Sequence, residues 1–104
     1  MANYLFVYSG GRGVSADETE RAAQYARWGQ WFAELGSAVV DGGAAAGAAK
    51  TVGPGGAVSE GGSCRLTGYS IVAAESLDSA VELAKGCPVI EIGGAVDVYE
   101  AIAM

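Results

Sequence analysis

Three residues have the type and setting to do chemistry: Tyr25, Trp28 and Asp41. Tyr25 and Trp28 stand three apart in "QYARW", which puts two aromatic rings on one side of a helix, where they could stack on a flat ligand. The same spacing marks a helix face buried in a core, so a cleft wall and plain packing are both open. Asp41 follows two valines and precedes Gly42-Gly43. A carboxylate at such a strand end can orient a ligand or take a proton, and Asp in this setting also caps turns. The ligand-binding candidates are therefore Tyr25, Trp28 and Asp41.

Other residues carry weaker signals. "GGRG" at Gly10–Gly13 lacks the GxxxxGK[ST] and GxGxxG spacings, and a Glu-rich helix start follows it, so it does not read as a nucleotide loop. Arg12, Lys50 and Arg65 lie in or beside loops, where a solvated charge or a partner for an anionic ligand group is expected. Trp31 is expected at the edge of its helix stripe, half exposed, over a cleft rim or a dimer contact. Cys87 follows a helix C-terminus, where the dipole disfavours a thiolate, and reads as a small buried residue rather than a nucleophile. Cys64 is far from it in sequence, and two free thiols are expected. With no histidine and no carboxylates at ligand spacing, neither a metal site nor a cofactor is expected.

The 104 residues suffice for one domain, spanning 1–104, and its single core. Six Lys and Arg against twelve Asp and Glu leave a charge of −6, which disfavours nucleic acid and anionic membrane surfaces as partners. No apolar run is long enough to span a bilayer, and no basic-then-apolar leader pattern is read at the N-terminus. The expected location is the cytoplasm.

Elements that could position these residues follow from pattern. "NYLFVYS" is a strand with two apolar faces. Ser15 and Glu18 fit a capping box that opens a helix, and Gly36 fits its stop. In that helix Tyr25, Trp28, Phe32 and Leu35 form the apolar stripe. "SAVVDGG" is a short strand. Eight glycines between Gly42 and Gly62 then suggest an irregular excursion holding one hairpin, with "AKTV" and "SCRLT" as arms. "GYSIVAAE" is a strand. Ser76 caps a short helix with Leu77, Ala80, Val81 and Ala84 on one face, and Gly86 and Pro88 end it. "VIEIGGAVDVYEAI" alternates as a last strand, with Ile90, Ile92, Val96, Val98 and Ile102 to one side and a break at Gly93-Gly94.

This order predicts an α+β fold of the ferredoxin-like βαββαβ plan: a four-stranded antiparallel sheet with helices on one face. The other face would stay bare and apolar, and a second copy of the chain stacking its sheet there is the simplest cover.

The stretches "NYLFVYSG", "GSAVVDGG", "KTV" and "LTGYSIVAAESLDSAVELAKGCPVIEIGGAVDVYE" resemble the YCII-related family over nearly the whole chain. Its most specific part is "LAKGCP" followed by "GG.VDVYE". The resemblance implies a ferredoxin-like protomer and a dimeric α/β-barrel assembly. Some members of that family are linked to a His–Asp acid–base pair, and a few relatives are lyases that dechlorinate aromatic compounds. The pair's histidine belongs to the stretch matched here by Tyr25–Trp28, and this chain has none. "SEGGSC" also stands where many relatives carry "DGPF". The leading reading is a homodimeric domain of the YCII type that binds a small organic molecule, aromatic ones included, in an apolar cleft between the first helix and the sheet. An acid–base lyase or isomerase using Asp41 and Tyr25 is the alternative, although a tyrosine with a pKa of about 10 is a poor base near neutrality. A structural or regulatory dimer with a collapsed cleft is the third reading.

Overall fold

The computed structural model describes residues 1–13, 15–62 and 66–102. They form β1 (Ala2–Gly10), α1 (Glu18–Leu35), β2 (Val39–Ala45), β3 (Lys50–Val52), β4 (Val58–Glu60), β5 (Leu66–Ala74), α2 (Leu77–Ala84), α3 (Pro88–Glu91) and β6 (Gly94–Ala101). The fold is α+β. Four strands make one sheet in the order β2-β5-β1-β6, with every pairing antiparallel, and β3 and β4 form a separate hairpin. Among the described residues no helix is long and apolar enough to cross a membrane.

Alternation along the central strands decides which face is the core. Tyr4, Phe6 and Tyr8 of β1 and Ser70, Val72 and Ala74 of β5 are buried beneath the helices. Phe6 lies opposite Ser70 on one side and Val98 on the other. Trp31 of α1, Ala80 and Ala84 of α2, and Cys87 and Val89 at α3 close the same core. The odd-phase residues Leu5, Val7, Tyr69 and Ile71 are only partly covered, and they form the face that carries no helix.

Trp31, expected at a half-exposed edge, is instead the buried residue of α1 at 2 % exposure. Its ring lies over Phe6, centroids 6.3 Å apart, and its Nε1–H donates to the Leu83 carbonyl at 3.2 Å, tying α1 to α2. A Cβ on Gly86 would come within 3.3 Å of the indole, so the bare glycine gives the ring its seat. Tyr25, placed in the stripe by its type, is 60 % exposed. The phase of the helix differs from the one its residue types suggest, because Gln24 and Arg27 are polar yet partly buried. They face a hollow rather than bulk solvent, so polarity there does not mark the outer side.

Several boundaries also differ from expectation. The α1 N-cap is Asp17, which accepts from the Glu20 amide at 2.9 Å. Ser15 Oγ accepts from the Asp17 amide instead of capping with Glu18. Gly36, at φ 57°, does end the helix, and Ser76 does cap α2. Within α2, Leu77 and Val81 are exposed, while Ala80 and Ala84 face the core. The last strand begins only at Gly94, because Pro88 starts a new helical turn at its first position, where its missing N–H costs nothing. Ile90 and Ile102 are consequently exposed rather than aligned with Val96 and Val98. Gly93, at φ 86°, turns the chain out of α3. A Cβ on Gly94 would sit 2.6 Å from Val89 Cγ2, so only glycine lets β6 start beneath α3. The hairpin closes through Val58–Glu60, not "SCRLT": Leu66 and Thr67 begin β5, and Ser63, Cys64 and Arg65 lie outside the described residues.

Removing the Trp31 side chain should be the most damaging single truncation. Trp31→Ala is expected to lower the unfolding free energy by about 3–5 kcal/mol, measured by urea titration followed by far-UV circular dichroism. A loss below about 1 kcal/mol would show that the indole does not hold α1 in place.

Candidate functional site

Ahead of Trp31 the packing opens. One turn of α1 nearer its N-terminus, Trp28 is only half-buried, and a hollow of about 520 Å³ lies between α1, α3 and the β2-β5-β1 part of the sheet. Trp28 and Phe32 line it from α1, Tyr8, Gly68 and Ser70 from the sheet, and Pro88, Val89 and Ile92 from the α3 segment. Trp28 meets Tyr8 edge-on at 5.0 Å and leans on Phe32 at 6.0 Å, so three rings share one wall.

The hollow exists because the β2 side has almost nothing to fill it. Gly42, Gly43, Ala44 and Ala45 line that side with at most a methyl group each. At Gly43 (φ 76°) a Cβ would run into the Tyr69 carbonyl, so β2 passes β5 more closely than any side chain permits. Register shifts on both sides of Asp41 bend the strand there. The start of the glycine-rich excursion is thus a strand that shapes a cavity, and β2 reaches Ala45 rather than stopping at Gly43.

Two hydroxyls on the sheet side of the hollow engage each other and the backbone. Tyr8 Oη donates to Ser70 Oγ at 2.8 Å, and Ser70 Oγ donates to the Gly42 carbonyl at 2.7 Å. Burial holds the Tyr8 phenol well above the usual tyrosine range, only partly offset by the Ser70 hydrogen bond. At the mouth, Arg27 gives Nε and Nη2 to Glu91 Oε1 at 3.2 and 2.9 Å and Nη1 to Gln30 Oε1 at 3.2 Å. The Glu91 hydrogen bond raises the Arg27 pKa, and the exposed pair adds little to stability. Gln24 is also occupied: its Nε2 donates to the Gly13 carbonyl, and its Oε1 accepts from the Ser15 amide.

Of the residues that the sequence singled out, Tyr25 and Trp28 both line the hollow, Tyr25 at the exposed mouth and Trp28 within. Asp41 does not line it. Its Oδ1 accepts from the Gly43 amide at 2.8 Å, the turn-capping role open to an Asp in that setting. Asp41 and Tyr25 are therefore not brought to one site. Arg12 is exposed, its backbone amide bound to the Ile92 carbonyl, and Lys50 reaches Glu60 across the hairpin at 3.6 Å. The part of the candidate site not singled out in the sequence is Tyr8, its buried partner Ser70 and the β2 backbone. One signal was available: Ser70 stands in phase with Gly68 and Val72, so a hydroxyl on the buried face of "GYSIVAA" called for a polar partner.

Cys87 is fully buried, and burial pushes its thiol up to about 11. A neutral thiol favoured by the fold contributes stability that is whole below the unfolded pKa of 9.0 and is lost as pH rises towards about 11. The unfolding free energy is expected to fall across pH 9–11, and Cys87→Ala should flatten that fall by on the order of 2 kcal/mol. Denaturant titrations at pH 7.5, 9 and 10.5 measure it; an equal decline in both proteins would remove Cys87 as a cause. No protein-family model matches this chain, and no curated protein matches it, so the site rests on its own geometry.

Proposed function

We propose that the chain is a ligand-binding domain that takes up a small, flat, largely apolar organic molecule in the hollow beneath α1. The observation that carries the reading is the cavity itself. Its volume of about 520 Å³ falls within the roughly 300–1,000 Å³ range of small-molecule sites. Trp28, Phe32 and Tyr8 supply stacking surface, and the glycines and alanines of β2 leave room opposite. A collapsed, purely structural dimer has no use for such a space. The acid–base alternative has no observation in its favour, since Asp41 caps its own turn outside the hollow.

The sheet order β2-β5-β1-β6, with helices on a single face, supports the ferredoxin-like plan and a YCII-type relationship. The uncovered face joins Leu5, Val7, Tyr69 and Ile71 to the exposed Tyr99, with Asp97 opposite Val7 at its β6 side, and its apolar part suits burial against a second copy. In that arrangement the partner covers the bare side of the sheet, and the hollow stays open on the other.

Two measurements test these claims. Tryptophan emission should be quenched by members of a panel of small aromatics, and Trp28→Phe should lose most of the response. Silence across the panel in the wild type would defeat the binding reading. Light scattering at micromolar concentration should return the mass of two chains, and Leu5→Lys should return one. A wild-type monomer would defeat the assembly.

A further inference from the structure

We infer that the Tyr8 hydroxyl on the floor of the hollow accepts a hydrogen bond but does not donate one to a ligand, so the hollow selects neutral aromatic ligands that carry an N–H or O–H group. The inference rests on the binding reading above and adds the chemistry of the ligand's buried end.

The direction of the floor's hydrogen bonds follows from one atom. The Gly42 carbonyl can only accept, so the contact of 2.7 Å from Ser70 Oγ must carry the serine hydrogen. With that hydrogen committed, Ser70 can only accept from Tyr8 Oη, 2.8 Å away, and the phenol hydrogen is committed in turn. Ser70 is fully buried and serves only as the relay, while Tyr8 lines the hollow with its hydroxyl hydrogen already committed, which leaves its oxygen lone pairs alone. Tyr8 keeps its proton because burial disfavours the phenolate, so the relay runs one way at any ordinary pH.

The surrounding charges point to the same ligand class. Arg27 lines the mouth, but three of its five N–H groups are given to Glu91 and Gln30, and Glu91 pairs its charge. Glu20 and Glu91 line the hollow as well, and no Lys is among the described residues around it. A carboxylate or phenolate pressed against the floor would meet oxygen lone pairs beneath it and acidic groups at the mouth. A ligand N–H or O–H would complete the relay with a fourth member and leave the three rings to hold its flat body.

Indole and benzofuran make the test, because they share size and shape and differ in the N–H. The full-length ¹⁵N-labelled chain is titrated with each, and dissociation constants are read from amide shifts of Gly42–Ala45 and Gly68. The expected result is indole binding about tenfold more tightly than benzofuran, the scale of one net hydrogen bond with a lone-pair clash on the other side. In Ser70→Ala the phenol hydrogen is released to face the hollow, and the ratio should fall to about one or invert. If that variant does not fold, Tyr8→Phe takes its place, with the ratio again expected to drop. A wild-type ratio below about two, or a ratio unchanged in the folded variant, overturns the inference while leaving binding intact. No shift with either compound overturns the binding reading and the inference together.

Discussion

The Trp31 indole fills the space between α1 and the sheet, with its N–H given to the Leu83 carbonyl and its ring over Phe6. Side chains this large are seldom fully buried, and a buried Trp must find an acceptor for its N–H. The chain meets that need with a carbonyl near the end of α2, and Gly86 clears the space beside it. One side chain therefore fixes the height of α1 above the sheet and its attachment to α2. Trp28 rides on the same helix, 5.8 Å from Trp31 and edge-on to it. Its height is inherited, and the hollow starts where the buried indole ends.

The opposite wall obeys a different constraint. A sheet normally fills its core face with β-branched or aromatic side chains, as β1 does with Tyr4, Phe6 and Tyr8. On β2 that series breaks off after Val39, and Gly42–Ala45 put backbone and methyl groups there instead. Gly43 has no substitute, because its approach to Tyr69 leaves no place for a Cβ. Ser70 then finds its acceptor in the Gly42 carbonyl, so the backbone of the thin strand also supplies the polarity of the floor.

Much of this could be read in the sequence because the relevant physics is local. Alternation in "NYLFVYS" and "GYSIVAAE" gives the central strands, and Gly36 and Ser76 mark helix ends through their own conformational or capping preferences. What escaped depends on distant partners. Gln24 and Arg27 are polar for the sake of a hollow that exists only once α1 meets β2 and α3, so residue type alone put Trp31 outside and Tyr25 inside. Pro88 was legible as a stop but not as a start. Ser70 could be placed on the buried face, whereas its acceptor, 28 residues earlier, depends on the strand order.

β2 is also an outer strand of its sheet, and its register slips twice, on either side of Asp41. A straight outer strand offers a ladder of unpaired amides and carbonyls on which another chain can zip and begin to aggregate. Here the kinks break that ladder, Asp41 puts a charge beside it, and the Gly43 amide is already taken by that carboxylate. The distortion that opens the hollow on the inner side thus blunts the rim as a template for a fifth strand. The edge of this sheet is therefore poorly shaped for backbone pairing with another chain.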